Sequence, residues 1–127
     1  MSDGAKDIPA GLPPGYPFQR DWEIAPRELK ALLDQGAPVV VIDVRTEAER
    51  ALAHIDGTMH VPLAELPTRI PDLRKHDGDR IVVHCHHGMR SLKATELLRQ
   101  AGFDDVRSLA GGIHLWSMDI DPAVPAY

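Results

Sequence analysis

Arg80-Ile-Val-Val-His-Cys-His-His-Gly-Met-Arg-Ser-Leu-Lys-Ala94 runs from an apolar, β-branched segment through one cysteine and one glycine into a helical pattern. Ile81-Val-Val83 has the character of a strand covered on both faces. From Ser91 to Ala101 the apolar residues recur at helical spacing, and Gly102 stops the helix. Cys85, the only cysteine in the chain, therefore stands where a strand hands over to a helix. A thiol placed there faces backbone N–H groups and the positive end of the helix dipole, and both favour thiolate over thiol. Gly88 permits a backbone conformation that turns successive N–H groups inward toward the sulfur. Hydrogen bonds to a charged group contribute about 1.5–3 kcal/mol each, against roughly 0.3–1 kcal/mol for an exposed helix dipole. The amides are thus expected to outweigh the dipole.

Working outward, strands alternate with helices. Trp22 to Ile24 suits a short edge strand, and Pro26 suits the first turn of a helix that carries Leu29, Leu32 and Leu33 to a stop at Gly36. Val39-Val-Val-Ile42 reads as a buried strand. Thr46 caps a short helix through about Leu52, with Glu47 and Glu49 near its positive end. His54-Ile-Asp-Gly57 is a turn, Met59 to Pro62 is extended, and a helix is expected from Ala64 to Ile70 with Pro71 near its end. Val106 to Leu109 makes another strand, and Gly111-Gly112 opens a last helix anchored by Leu115 and Trp116. The alternation predicts an α/β domain with a mainly parallel sheet, whose ligands bind at the carboxyl ends of the strands. Cys85 lies at one such end and Asp43 to Arg45 at another.

Residues 1–20 hold four prolines and three glycines among few apolar groups, so they are expected to form an extended arm, with the domain spanning 21–127. The chain of 127 residues is long enough for one real core, and its net charge of −5 argues against nucleic acid or an anionic membrane as partner. No apolar run reaches the ~18–20 residues needed to cross a bilayer. A single cysteine forms no internal disulfide, which makes a reducing cytoplasm the simplest home. Metal binding by His84, Cys85, His86 and His87 is weakly indicated. Four consecutive residues are poorly spaced to converge on one ion, and no second ligand pair follows. No metal or cofactor is expected. Arg90 offers a planar fork of donors suited to an oxyanion. Asp43 is expected to pair with Arg45 or to tie down backbone, while His60 and His114 carry no pattern and read as ordinary packed or surface histidines.

Asp43-Val-Arg45, His54-Ile-Asp-Gly57 through Pro62, Val82-Val-His-Cys85 through Ser91, and Leu109-Ala-Gly111-Gly112 through Trp116 occur in that order. Together they resemble a single-domain rhodanese, a sulfurtransferase. The match extends from about Ile24 to the C-terminus, and the closing Asp121-Pro122-Ala-Val-Pro125-Ala-Tyr127 is similar to the tail of rhodanese modules fused to adenylylating enzymes. The resemblance implies a doubly wound, five-stranded parallel sheet with helices on both faces. It also implies a persulfide on Cys85, within a loop of His86, His87, Gly88, Met89, Arg90 and Ser91 that binds the donor. In that family a six-residue loop handles sulfur, whereas related phosphatases use a longer loop with arginine at the sixth position after cysteine. Here Arg90 is the fifth.

The expected activity is therefore transfer of sulfane sulfur from thiosulfate or a similar donor to cyanide, a small thiol or a protein thiol, by a monomer or weak dimer. Two rivals stand beside it. One is a phosphatase or arsenate reductase of related fold. The other is a non-enzymatic sulfur carrier or docking module that uses the proline-rich arm.

Overall fold

The computed structural model describes residues 8–127, and the first seven residues of the expected arm lie outside the described residues. Five parallel strands form one sheet in the order β1-β5-β4-β2-β3. They are β1 (Glu23–Ile24), β2 (Val39–Asp43), β3 (Met59–His60), β4 (Arg80–His84) and β5 (Val106–Leu109). The helices are α1 (Pro26–Asp34), α2 (Glu47–Leu52), α3 (Leu66–Leu73), α4 (Met89–Gln100) and α5 (Gly112–Asp119).

Alternation along the central strands decides which helix packs where. Ile42, Ile81 and Val83 point into one core with Leu66 and Leu73 of α3, Ala94 and Leu98 of α4, and Phe103. Val41 and Val82 point the other way, into a second core with Leu29 of α1, Ile113 and Trp116 of α5, and Ile55. Helices therefore cover both faces. On α4 the buried residues are Ser91, Ala94, Thr95 and Leu98, a single stripe at helical spacing. Of its two polar members, Ser91 turns toward the Cys85 sulfur and Thr95 satisfies its hydroxyl by donating to Ser91 O at 2.8 Å.

Several element boundaries differ from the sequence expectation for physical reasons. Helix α4 begins at Met89, two residues earlier than expected, because Gly88 at φ 116° makes the turn in one step. Helix α3 is shifted along the chain relative to the expected Ala64 to Ile70, spanning Leu66–Leu73 with Pro71 inside it near its end. A short 3-10 turn at Leu63–Glu65 leads into that helix. The first half of β2 is only half-buried, so the β-branched run is covered on both faces only from Val41 onward.

The described part of the arm lies against the domain. Tyr16 reaches into the sheet's carboxyl edge, where its hydroxyl accepts from the Gly111 amide at 2.9 Å and donates to Glu23 at 3.1 Å. Burial, and then the Glu23 charge, push the Tyr16 phenol up to about 12, so it stays protonated and keeps both bonds. Trp22 packs at the sheet edge with the Arg99 guanidinium 4.2 Å from its ring centre.

Candidate active site

Strand β4 delivers Cys85 to the carboxyl edge of the sheet, one residue beyond its last paired residue. The sulfur turns back under its own loop, and Cys85 as a residue is buried, at 1% exposure. Two backbone amides donate to it, Gly88 at 3.1 Å and Ser91 at 3.3 Å. The thiol also lies 3.4 Å from the Ser91 hydroxyl, which reaches Gly88 O at 3.2 Å and the buried Ser108 hydroxyl at 2.7 Å. Sulfur, amides and hydroxyl thus form one satisfied polar cluster inside an otherwise apolar wall.

The loop's carbonyl side is held by α5. Ile113 N donates to Cys85 O at 2.9 Å and His114 N to His86 O at 3.0 Å. Free amides at a helix N-terminus suit that task, since they have no partner within the helix. The approach requires glycine: a Cβ on Gly112 would lie 2.6 Å from Cys85 O, at a φ of +60°. Loop, α4 and α5 are therefore locked backbone to backbone.

Arg90, expected to face an oxyanion, also has a partner within the protein. Its two terminal nitrogens grip Glu49 at 2.6 and 2.9 Å. Glu49 also closes the N-terminus of α2 in a reciprocal cap with Thr46. The Arg90 bonds come first among the causes that hold the Glu49 carboxyl well below the usual carboxylate range. In return, Glu49 holds Arg90 above its ordinary value. Tyr127 joins this pair. Its hydroxyl donates to Glu49 at 2.8 Å and accepts from Arg45 at 2.9 Å, and its ring stacks on His86 with centres 4.0 Å apart. Burial, followed by His87, holds the His86 imidazole below its ordinary pKa.

Asp43 and Arg45 form the structural pair that the sequence suggested. Both side chains are fully buried, joined at 2.8 and 3.0 Å, and Arg50 adds a third contact at 3.0 Å. Burial is the largest influence on Asp43 and would raise its pKa, but the Arg45 bonds and His84 outweigh it and hold it low. His84, wholly buried beside them, is pushed down to about 4 by burial. His60 donates to Arg45 O at 2.8 Å, an ordinary packed histidine.

Among the expected loop residues, Gly88 and Ser91 meet the sulfur, His86 and Arg90 sit at its rim, and His87 and Met89 face outward. His114, read from sequence as unpatterned, lies beside His86 and His87. Glu49, Tyr127, Ser108 and Tyr16 were not foreseen as neighbours of the loop. The sequence placed Glu49 near the start of a helix capped by Thr46, yet no local signal links it to Arg90. A cavity of about 430 Å³ at the other end of β4, lined by residues including Arg80, Glu23 and Arg107, takes no part in the loop.

The Rhodanese-like domain family matches residues 25–119. The chain belongs to the rhodanese-like domain family. A thiosulfate sulfurtransferase GlpE of Pseudomonas fluorescens is 40% identical over 94 residues, covering 73% of this chain and 82% of the relative. The maize adenylyltransferase and sulfurtransferase MOCS3-2 is 35% identical over 106 residues, covering 80% of this chain and 22% of the relative. The chain thus spans about a quarter of the length of the adenylyltransferase/sulfurtransferase relatives it matches. Among solved structures, a rhodanese-related protein of Thermoplasma volcanium superposes with a TM-score of 0.71 at 27% identity, covering 84% of this chain and 99% of that one.

Proposed function

We propose that this protein is a sulfurtransferase that carries sulfane sulfur on Cys85. The observation that carries the reading is the convergence of the Gly88 and Ser91 amides on the Cys85 sulfur inside a short rhodanese-type loop. Amides fixed by α4 and α5 need no reorganisation as negative charge builds on sulfur, and such preorganised donors are the usual source of anion stabilisation in active sites.

The reaction runs in two displacements. The Cys85 thiolate attacks the outer sulfur of thiosulfate; the donor's S–S bond breaks, and sulfite departs with the electron pair. The product, Cys85–S–S⁻, keeps its charge within the loop, where the backbone amides hold it. An acceptor nucleophile (cyanide, a small thiol or a protein thiol) then attacks the outer sulfur, and the Cys85 thiolate returns. The Ser91 hydroxyl serves both states. It accepts from the thiol while donating to Gly88 O, and by rotating it turns that proton to the thiolate, with the Ser108 hydroxyl as its remaining partner. Thiosulfate as donor is supported by the name of the Pseudomonas fluorescens relative.

Two of the five N–H donors of a guanidinium are used on Glu49, and those left over on Arg90 hold the sulfonate end of the donor. His86, His87 and Met89 contribute loop backbone toward the donor. A lone reactive thiol suits a reducing cytoplasm. The similarity to one part of a longer maize protein favours a second reading, in which the acceptor is another protein and small acceptors discharge the persulfide slowly.

The test is intact-protein mass spectrometry after thiosulfate treatment, followed by a thiosulfate-to-cyanide assay. One added sulfur atom that dithiothreitol removes is the expected result, and it should be absent from Cys85→Ser. A chain that never gains the sulfur, or a Cys85→Ser protein that still turns over, overturns the proposal.

A further inference from the structure

We propose that His86, His87 and His114 form a binding site for a borderline divalent transition metal of the zinc type, at the rim of the Cys85 loop. One ring nitrogen from each histidine lies within 4.8 Å of the other two. The sequence did not predict this trio, because two members are adjacent in the loop and the third comes from the first turn of α5. The fold brings them together through the backbone: His114 N donates to His86 O at 3.0 Å, so the third histidine is tied to the first. The imidazole centres of His87 and His114 are 4.8 Å apart, and those of His86 and His87 are 4.0 Å apart.

Two further observations point to a ligand. The His114 Nδ1 atom is buried and, among the described residues, has no hydrogen-bond partner. A buried imidazole nitrogen is ordinarily satisfied, and a metal ion is one of the few partners that satisfies it without a donor hydrogen. His86 supplies the second. Its Nε2 lies 3.0 Å from the backbone oxygen of Tyr127. That oxygen only accepts, so Nε2 carries the proton and Nδ1 of the neutral ring keeps its lone pair. Metal-binding histidines are commonly oriented in this way, by donating their other ring N–H to a backbone oxygen.

Three neutral imidazoles suit zinc and its neighbours, and poorly suit magnesium or calcium, which prefer oxygen. A tetrahedral zinc ion with Zn–N of about 2.0–2.1 Å needs nitrogens roughly 3.3 Å apart. The His86 and His114 ring centres are 6.0 Å apart, so binding requires side-chain rotation within the trio, for which the exposed His87 has the most room. Three protein ligands leave a fourth position open for water or an anion. The Cys85 sulfur is not needed as a ligand, since it is enclosed by its own loop's amides.

The experiment is calorimetric titration of the chelator-treated full chain with Zn²⁺, alongside His87→Ala, His114→Gln, Cys85→Ser and His54→Ala. The parent is expected to bind one equivalent. His87→Ala, at an exposed position that carries no fold, should weaken binding by at least about tenfold, and His114→Gln by a similar factor. Cys85→Ser and His54→Ala should bind like the parent. Absence of saturable binding, or binding by both His87→Ala and His114→Gln as tight as the parent's, overturns the proposal. So does loss of binding in Cys85→Ser with the histidines intact. None of these outcomes depends on sulfur transfer.

Discussion

Arg90 at the start of α4 and Glu49 on α2 are joined by two parallel hydrogen bonds of 2.6 and 2.9 Å across 41 positions of sequence. Because Glu49 also caps α2, the pair ties the rim of the cysteine loop to the helix that follows β2. Each partner is part-exposed, so the bridge contributes only about 0–1 kcal/mol to stability. Its larger effect is geometric: a bidentate grip holds the guanidinium in one plane at the edge of the loop.

Replacing Arg90 by alanine is therefore expected to cost little stability and much donor affinity. KM for thiosulfate should rise by about tenfold or more while the thermal midpoint barely moves. Arg90→Lys keeps a positive charge but cannot hold Glu49 and a sulfonate together through a planar fork, so it should recover only part of the affinity. An unchanged KM in both variants would remove Arg90 from donor binding and leave it as a brace. Steady-state kinetics at fixed cyanide and varied thiosulfate make the measurement.

Gly112→Ala tests the backbone lock. The added methyl meets Cys85 O at 2.6 Å, and the position has a φ of +60°. The clash is not relieved by moving a flexible side chain, because the opposing atom is main chain. A destabilisation of about 1–3 kcal/mol is expected from the backbone strain alone, together with loss of activity as the loop is pushed off α5. Gly15→Ala also has positive φ but nothing within 4 Å, so it should cost less and leave turnover intact. Urea titrations of the two variants decide the point. Equal losses would mean that the contact with the loop is unimportant.

Much of the fold was legible because period and punctuation agreed. The β-branched runs at Val39–Ile42 and Ile81–Val83, each followed by a helix, gave parallel strands and placed Cys85 at a carboxyl edge. Gly88 announced the loop turn. What escaped was long-range. Thr46 was read as a helix cap with Glu49 near the same helix start, but the contact of Glu49 with Arg90 depends on two helices meeting. Tyr127 gave no sign of its stack on His86. His114 looked unpatterned because the pattern it completes lies in space, between the loop and α5. Arg90 was assigned to an oxyanion from its residue type, and the nearby carboxylate that occupies two of its donors could not be seen in the local sequence.

Ser91 is proposed as a positioning residue for the Cys85 sulfur. Ser91→Ala removes the hydroxyl while leaving the amide that donates at 3.3 Å, so the loop should still form. Loss of one hydrogen bond to a charged sulfur corresponds to about 1.5–3 kcal/mol, a slowing of roughly 10- to 100-fold in persulfide formation. Alkylation of Cys85 by iodoacetamide, followed across pH, should slow as well, which a purely packing role for Ser91 does not require. Ser91→Thr retains the hydroxyl and should restore part of the reactivity. Alkylation profiles identical in Ser91→Ala and the parent would rule the role out.

His84 sets a pH dependence of stability. Its ring is wholly buried, and burial is the first cause of a pKa pushed down to about 4. In the unfolded chain a histidine takes up its proton near pH ~6.5. Between those values the unfolded state binds a proton that the folded state refuses, so stability falls as pH drops from about 6.5 toward about 4. The full difference corresponds to roughly 3 kcal/mol. Asp43 and Glu49, both held below their ordinary values, remain ionised through this window and give up their own contributions only at lower pH. Urea midpoints compared at about pH 7 and about pH 4.5 should therefore differ clearly in the parent. In His84→Gln, whose side chain does not titrate, that difference should shrink toward what the remaining histidines contribute. An imidazole signal of His84 that titrates near its ordinary pKa in the folded protein would defeat the argument, because it would mean that the buried ring accepts charge without cost.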